Sequence, residues 1–261
     1  MIEVRNVHKS FGEKKVLNGV TLTIPDGVTY CIIGRSGCGK SVLIKNIVGL
    51  LEPDVGEVFI DGQNIHKLGR EELFKVREKF GFVFQSSALF DSYTVFENVV
   101  IGLYERGIRN EKVLYNEAIR TLTAVGLLPR KEEVSEKEFE REWRILKDKM
   151  PAELSGGMRK RVGVARALVG SPSYIFYDEP TTGLDPVTSE QVDNLIADLA
   201  KKFEITSIII THDLFSVFKI ADYVAMIDDG NLVFDGEVEK FRESQNPVVQ
   251  EFLERYKTKV V

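Results

Sequence analysis

The sequence predicts an α/β fold in which a largely parallel sheet is covered by helices and a helical insert interrupts the core. Two observations support this prediction. Short apolar runs that are typical of buried strands alternate with helical segments up to about residue 85 and again from residue 174 onward. Between these regions, from about residue 92 to residue 168, the pattern is mainly helical. At 261 residues, the chain is long enough for one large core and short for two independent domains.

Strands are predicted from alternating or continuous apolar residues bounded by turn residues. They are expected at 2–5, 20–24, 28–33, 58–60, 81–84, 174–177 and 207–210. We therefore expect a single domain. Its parts are a core at 1–85 and 171–240, a helical subdomain at 86–170 and a short helical tail at 241–261.

A helix is predicted immediately after Lys40. Leu43, Ile47 and Leu50 would lie on one of its faces, and Pro53 would end it. A second helix of the core is expected at 189–202. Strands that alternate with helices in this way indicate a parallel arrangement.

Charge and cysteine content exclude several classes of protein. Lys and Arg total 35 against 40 for Asp and Glu, which gives a net charge of 35 − 40 = −5 and argues against a nucleic-acid partner. Cys31 and Cys38 have neither disulfide nor metal-knuckle spacing, so we expect reduced thiols. The N-terminus lacks the pattern of a signal peptide, and no run approaches the ~20 apolar residues of a membrane span. Any membrane role would therefore require a partner.

A glycine-rich loop fits the pattern G-x-x-x-x-G-K-[ST] between a predicted strand and a predicted helix. It consists of Gly34, Arg35, Ser36, Gly37, Cys38, Gly39, Lys40 and Ser41. Backbone amides of such a loop surround phosphates, the lysine places a positive charge near the terminal phosphates, and the Ser41 hydroxyl can coordinate Mg²⁺. Val42 stands where many such loops carry a second hydroxyl. The pattern predicts an ATP site with Mg²⁺ as cofactor.

Two carboxylates end an apolar strand at 174–179. Asp178 would reach the rim of the sheet and bind Mg²⁺, and Glu179 would accept a proton from the attacking water as a general base. For the pair taken alone, an acidic strand end that caps a neighbouring helix is the favoured interpretation, because Asp and Glu are common at strand ends. Together with the glycine-rich loop, the catalytic interpretation is favoured, and the chain is predicted to be an ATPase.

A second segment that could bind phosphate indicates which class of ATPase the sequence resembles. Ser155 is an N-cap candidate, and Gly156 and Gly157 leave the start of the following helix open to an anion. The run 154–158 resembles the signature sequence of the ABC transporter ATP-binding subunits, with Met158 in place of the usual glutamine. The resemblance implies a head-to-tail pair of two copies in which each signature covers the ATP of the other copy. A capped helix after a turn is the alternative for these residues in isolation.

Other residues match the same family in the order in which the family carries them. Gln85 resembles the Q-loop glutamine that contacts Mg²⁺, and Asp185 resembles the D-loop aspartate at the dimer seam. His212 resembles the switch histidine that contacts the γ-phosphate, and Phe11 resembles the aromatic residue that stacks on adenine. The resemblance covers nearly the whole chain. It implies the family fold, which adds an antiparallel β subdomain to the core and the helical insert.

Three segments resemble one branch of this family more than the rest. The run 84–99 after Gln85, the glycine-rich loop at 34–37 with 40–42, and the run 246–253 near the C-terminus are similar to the ATPases of Mla lipid-asymmetry systems. That resemblance implies phospholipid transport between bacterial membranes, an integral-membrane permease, an MCE-type lipid-binding protein and a peripheral location on the cytoplasmic face of the inner membrane. An ATPase of a small-solute importer, for example for polar amino acids, has the same catalytic motifs. A non-transport ABC protein that acts on DNA or ribosomes is a third candidate.

A charged segment at 129–151 departs from that branch. Phe139, Trp143, Leu146 and Met150 recur at helical spacing within it and form an apolar stripe. We expect a peripheral helix that packs its stripe back onto the helical insert. A docking surface for the permease or the second copy is the alternative, and binding to a membrane surface ranks behind both.

Overall fold

The computed structural model of the chain describes residues 1–257, and their side chains as far as residue 254. The last four positions of the predicted tail, 258–261, lie outside the described residues.

The first part of the chain forms β1 (Ile2–Phe11), β2 (Lys14–Ile24), β3 (Thr29–Ile33), α1 (Lys40–Ile47), β4 (Val55–Ile60), β5 (Gln63–Asn64), α2 (Arg70–Arg77), β6 (Phe80–Val83), α3 (Val95–Glu105) and α4 (Glu111–Ala124). The remainder forms α5 (Glu136–Lys147), α6 (Gly156–Leu168), β7 (Tyr174–Asp178), α7 (Pro186–Phe203), β8 (Thr206–Ile210), α8 (Leu214–Ile220), β9 (Tyr223–Asp228), β10 (Asn231–Glu237), α9 (Val238–Arg242) and α10 (Pro247–Lys257).

Packing divides these elements into two compact units. One unit contains residues 1–78 and the residues from 200 onward, and the other contains residues 79–199. The helices of the predicted insert, α3 to α6, all belong to the second unit. The domain boundaries proposed from the sequence remain a prediction.

The first unit contains an antiparallel sheet and a set of mainly parallel strands. The antiparallel sheet has the order β2-β1-β4-β5. Ile2 and Val4 of β1 are buried in alternation, and a register shift between Val4 and Val7 places Val7 on the buried face as well. β3 pairs in parallel with β8 and with β9, whereas β10 pairs antiparallel with β9. Every residue of β3 and β8 is buried, in agreement with the mostly apolar sequence of both strands.

The second unit contains the parallel pair β6 and β7, in the register Phe80↔Tyr174 to Val83↔Tyr177. With the strands of the first unit, this pair confirms the predicted α/β class with a mainly parallel core, an antiparallel β subdomain and a helical region. None of the helices in the described part of the chain has the length and hydropathy that a membrane span requires.

The predicted end of the first helix is wrong. α1 ends at Ile47, and Leu50 is 62% exposed instead of continuing its buried face. Gly49 adopts φ +71°, its N–H donates to the Asn46 carbonyl, and the Leu50 N–H donates to the Lys45 carbonyl. These two bonds form a Schellman motif, in which a left-handed glycine ends the helix. The glycine therefore stops the helix before Pro53 is reached.

The amphipathic segment forms α5, and its stripe packs inside the second unit. Phe139, Trp143 and Leu146 are buried, and the Trp143 ring makes edge contacts with Phe96 and Tyr115 at centroid distances of 6.1 and 5.7 Å. This confirms the prediction that the helix folds back onto the helical insert. Met150 was wrongly included in the helical stripe, because α5 ends three residues earlier, at Lys147.

Candidate functional site

The glycine-rich loop begins where β3 ends, and its first residue tolerates no side chain. Gly34 has φ +145°, and a Cβ atom added there would lie 2.1 Å from the Ile227 carbonyl oxygen and 2.8 Å from the Cys38 sulfur. Such distances are far inside van der Waals contact. The close approach of β9 to the loop therefore requires glycine at this position.

The loop ends at the N-terminus of α1, which lacks a side-chain cap. Gly39 occupies the N-cap position with φ +112°, and no side chain accepts a hydrogen bond from the first turn. The first N–H groups of a helix have no partner within the helix and carry partial positive charge, so they favour an anion. The predicted glycine-rich loop between a strand and a helix is present, and so is the predicted helix after Lys40.

Lys40 points into the loop and is only 8% exposed. Its Nζ donates to the carbonyl oxygens of Gly34 and Arg35 over 2.8 and 3.0 Å and lies 3.8 Å from the Cys38 sulfur. The positive charge is therefore fixed at the centre of the loop. Cys31 and Cys38 are both buried, and neither takes part in a disulfide. Ser41, the next residue, is exposed.

Arg35 makes a contact that the sequence did not predict. Its guanidinium donates to Glu251 of α10 over 3.0 Å and lies 3.9 Å from Asp228. The two partners of the first bond are 216 residues apart in the chain. The helical tail is thus connected to the glycine-rich loop within the first unit, through an exposed ion pair that contributes little stability by itself.

His212 follows β8 at the edge where the glycine-rich loop follows β3. The two strands are parallel neighbours with Ile32 opposite Ile210, and the Thr211 N–H donates to the Ile32 carbonyl. The carboxyl ends of neighbouring parallel strands form the usual ligand-binding edge of such a sheet. His212 is exposed there, and Asp213 caps the helix that follows. Phe11, at the end of β1, is 50% exposed with the Lys9 ammonium 5.8 Å from its ring centroid.

The second unit has a comparable edge at the carboxyl ends of β6 and β7. Gln85 lies two residues after Val83, which is paired with Tyr177, and Asp178 and Glu179 come directly after that tyrosine. The structure therefore brings the predicted Q-loop glutamine and the predicted acidic pair to the ends of two paired strands. Gln85 is exposed, and the two carboxylates are partly exposed.

Glu179 has a conformation that its sequence context does not reveal. Its φ is +49°, in the left-handed region that costs a non-glycine residue about 1–3 kcal/mol and that clusters at functional sites. The Thr182 hydroxyl donates to its Oε2 over 3.0 Å. Thr182 was missed by the sequence analysis, and a hydroxyl three residues after the carboxylate is the only sequence signal for it.

The signature segment is a capped and open helix start, as predicted. The Ser155 hydroxyl accepts a hydrogen bond from the Met158 N–H over 3.2 Å at the N-terminus of α6. A Cβ added at Gly156 would meet nothing within 4 Å, and Ser155 and Gly156 are both exposed. Gly157 is likewise open except for the methyl group of Thr188 at 3.8 Å.

Asp185 is used for local structure at the start of α7. Its carboxylate accepts hydrogen bonds from the Thr188 hydroxyl and the Thr188 N–H at 2.5 and 3.0 Å. These bonds, the side-chain one foremost, hold the pKa of the Asp185 carboxyl below its usual value. The residue is fully ionised at neutral pH and fixes the loop that precedes α7.

The donor atoms predicted for Mg²⁺ fit the chemistry of that ion. Ser41, Gln85 and Asp178 offer a hydroxyl, an amide and a carboxylate oxygen, which are hard ligands, and each has some solvent exposure. No group of three or more His, Cys, Asp or Glu side chains in the described part of the chain could hold a metal alone.

Comparison with known proteins shows which family the chain resembles. A model of the family described as "ABC transporter" matches residues 17–182. The chain is 38% identical over 97% of its length to a probable ribonucleotide transport ATP-binding protein of Mycobacterium tuberculosis and spans 66% of the length of that relative. It is 36% identical to the intermembrane phospholipid transport system ATP-binding protein MlaF of Haemophilus influenzae, covering 97% of this chain and 90% of that protein.

Two further matches extend the comparison. The methionine import ATP-binding protein MetN of Carboxydothermus hydrogenoformans is 38% identical, over 97% of this chain and 71% of MetN. Among solved structures, a dimeric post-hydrolysis state of the ATP-binding cassette MJ0796 with ADP and Pi superposes with a TM-score of 0.75 at 31% identity. That match covers 91% of this chain and 99% of the cassette.

Proposed function

The chain belongs to the ABC transporter family, and from this premise we propose that it binds and hydrolyses ATP to power phospholipid transport through a separate permease. The ATP-binding and ATPase character follows from the family and from its likeness to ATP-binding cassettes. The observation that carries the residue assignment is the buried Lys40 inside a glycine-rich loop that ends at an uncapped helix.

We assign the phosphates to the loop 34–41. Its main-chain N–H groups and the α1 N-terminus would bind the phosphate oxygens, and Lys40 would exchange its two carbonyl acceptors for the terminal phosphates. Val42 offers no hydroxyl, so the main chain would carry that part of the contact. Phe11, half exposed at the end of β1, would stack on adenine.

Ser41, Gln85 and Asp178 would hold Mg²⁺, which when bound neutralises charge on the phosphate oxygens. Glu179 would accept the proton of the attacking water, and Thr182 would keep its carboxylate oriented for that transfer. His212, exposed at the end of β8, would donate to the γ-phosphate. Substitutions of Gln85, Glu179 and Thr182 test the roles assigned to these three residues.

A second copy of the chain would complete the site. Ser155, Gly156 and Gly157 form the N-terminus of α6, which favours an anion. The loop 34–41 is already assigned to the ATP of this chain, so the second N-terminus is left for another nucleotide. We assign it to the ATP of a second copy, with Asp185 at the seam. The dimeric state of the MJ0796 cassette supports this assignment.

Phospholipid transport is favoured by two observations. The chain resembles MlaF over 90% of the length of that protein, and the run 84–99 after Gln85 is similar to that branch. The proposed partners are therefore an integral-membrane permease and an MCE-type lipid-binding protein, with the chain bound peripherally to the cytoplasmic face of the inner membrane. The likeness to MetN favours a second candidate, the ATPase of a small-solute importer.

The test uses the complex purified from the membranes of the source cells with its permease. In vesicles, ATP-dependent exchange of a fluorescent phospholipid with acceptor vesicles is expected, and it should stop with the Glu179→Gln chain. Stimulation of hydrolysis by a free amino acid, without any lipid movement, would favour the importer and overturn the lipid proposal. A complex that hydrolyses no ATP under either condition would overturn the catalytic assignment as well.

A further inference from the structure

The segment that follows β6 has an unfavourable main-chain conformation. We call residues 84–90 the Gln85 loop. Two consecutive non-glycine residues in it, Ser87 and Ala88, have φ values of +62° and +41°. Left-handed backbone is disfavoured for residues with a Cβ atom and persists only where surrounding contacts impose it. Something must therefore hold this loop in place.

Arg166 of α6 holds both left-handed residues. Its two terminal nitrogens donate to the Ser87 and Ala88 carbonyl oxygens, each over 2.7 Å. The planar guanidinium is suited to two parallel bonds of this kind, which a lysine could not reproduce. Partial burial of the guanidinium lowers the pKa of Arg166 from its usual value.

Lys160, which precedes Arg166 on α6, contacts Gln85 itself. Its side chain is only 6% exposed, and Nζ donates to the main-chain carbonyl of Gln85. Burial lowers the pKa of Lys160. Between the two basic residues, Gly163 brings the helix surface against the loop: a Cβ added there would lie 3.5 Å from the Ser87 Cβ. The loop is thus bound along one flank of α6.

The same helix carries the signature at its N-terminus. α6 runs without interruption from Gly156 to Leu168, and Ser155 caps its start. Hydrogen-bonded helices of this length are stiff, so the donors on its flank and the amides at its N-terminus move together. On the other side, the fully buried Asn98 of α3 accepts a hydrogen bond from the Phe90 N–H and donates one to the Phe90 carbonyl, which fixes the end of the loop.

We propose that Lys160 and Arg166 are positioning residues for Gln85: they fix the Gln85 loop to α6, so that the glutamine is presented in a set position relative to the signature. This inference rests on the proposed function, in which Gln85 acts on the Mg²⁺-bound nucleotide and the signature acts on the nucleotide of a second copy. A displacement of the α6 N-terminus on binding would then shift Gln85 through the two basic side chains.

The first test measures the nucleotide-free protein. Lys160→Met keeps the approximate length of the side chain and removes its hydrogen-bond donors. Arg166→Lys keeps the positive charge and removes the planar guanidinium that donates two parallel bonds. In each variant, amide hydrogen exchange across 85–90 should become roughly tenfold faster, the factor expected for losing about one hydrogen bond, while α6 itself stays protected. The matched control is Arg161→Lys, because Arg161 of the same helix donates to the Val125 carbonyl and not to the loop. Unchanged exchange at 85–90, or equal acceleration in the control, overturns the proposal.

The second test is a double-mutant cycle on ATP hydrolysis. Lys160→Met is expected to lower kcat by about tenfold in the wild-type background and to have no further effect in Gln85→Ala, because residues that act through one another are not additive. Equal factors in both backgrounds, with a normal melting temperature, would overturn the positioning role alone. A Gln85→Ala chain that hydrolyses ATP normally would instead overturn the role of Gln85 in the proposed function. If Lys160→Met unfolds the chain, Arg166→Lys supplies the same cycle.

Discussion

The Thr182 hydroxyl donates to Oε2 of Glu179 over 3.0 Å, and the Thr182 N–H donates to the Glu179 main-chain carbonyl over 3.3 Å. Glu179 is thereby held at both its side chain and its backbone, in a left-handed conformation with φ +49°. A general base must be oriented toward the proton that it accepts, so the threonine is expected to matter for the rate and not for nucleotide affinity.

Thr182→Val tests this orientation. The substitution is nearly isosteric and removes one hydrogen bond to a carboxylate, so kcat should fall by about tenfold with little change in ATP affinity. Thr182→Ser retains the hydroxyl and is the matched control, expected to hydrolyse ATP at close to the wild-type rate. Steady-state hydrolysis and binding of a fluorescent nucleotide measure the two quantities. Equal rates for the valine and serine variants would contradict the assigned role.

Glu179→Gln tests the base itself. The amide keeps the shape and accepts a hydrogen bond but takes no proton, so hydrolysis should slow by roughly 10²-fold or more while ATP binding is retained. Because the shared nucleotide stabilises the closed pair, the variant with ATP should elute as a dimer in size-exclusion chromatography. Near-normal turnover would show that another group is the base.

Lys40→Ala and Ser155→Arg separate the two halves of the proposed site. Lys40→Ala should abolish nucleotide binding by its own chain, because the charge inside the loop is lost. Ser155→Arg should leave binding by the isolated chain intact and block pairing, since the new side chain would enter the facing site. Equilibrium binding and dimer formation are measured for each variant and for their mixture, which can contain at most one complete site per pair. Loss of ATP binding by isolated Ser155→Arg would disprove a role in the second copy.

Local sequence signals were sufficient wherever the structure depends on neighbours in the chain. The glycine-rich loop could be predicted because β3 is a continuous apolar run and Gly34 follows it directly. The Ser155 cap could be predicted because the capped N–H belongs to Met158, three residues away. The end of α1 predicted at Pro53 is wrong because Gly49, in a left-handed conformation, ends the helix first.

Contacts over long sequence distances could not be predicted in this way. Lys160 reaches Gln85 across 75 residues, and Arg35 reaches Glu251 across 216. No sequence spacing predicts either contact, because the two residues of each pair come together only in the folded unit. The left-handed conformation of Glu179 was likewise invisible, because nothing in a glutamate before a proline indicates a positive φ. These are features that tertiary packing imposes on the chain.

The buried stripe of α5 gives a prediction about stability. Phe139 and Trp143 are 2% and 4% exposed, so replacing both with Ser should destabilise the protein by several kcal/mol, given about 3–5 kcal/mol for each large aromatic truncation. The control is Ile145→Ser on the same helix, which is 51% exposed and should change stability by no more than about 0.5 kcal/mol. Urea unfolding monitored by far-UV circular dichroism measures both. Equal free energies of unfolding for the wild type and the double variant would show that the stripe does not contribute to the hydrophobic core.

His66 gives the chain a pH-dependent contribution to stability in mildly acidic solution. Its Nε2 lies 3.1 Å from the Asn46 carbonyl oxygen of α1, where the neutral ring can donate a hydrogen bond. Burial lowers the pKa of His66 below its ordinary value of 6.5, against smaller opposing effects of the Asn46 carbonyl and of Glu52. The unfolded chain therefore binds more protons at this residue than the folded chain as the pH falls below 6.5.

The sign of the effect follows directly. The favourable contribution of the neutral ring is fully present above pH 6.5 and is lost as the pH falls from 6.5 through the lower pKa of the folded state. Urea unfolding of the wild type at about pH 5.5 and about pH 7.5 should show lower stability at the lower pH, and part of this difference should disappear in His66→Gln. Glutamine keeps a donor for the Asn46 carbonyl but does not titrate, so stability at the higher pH should change little. An identical pH dependence in wild type and variant would show that His66 does not titrate differently in the two states.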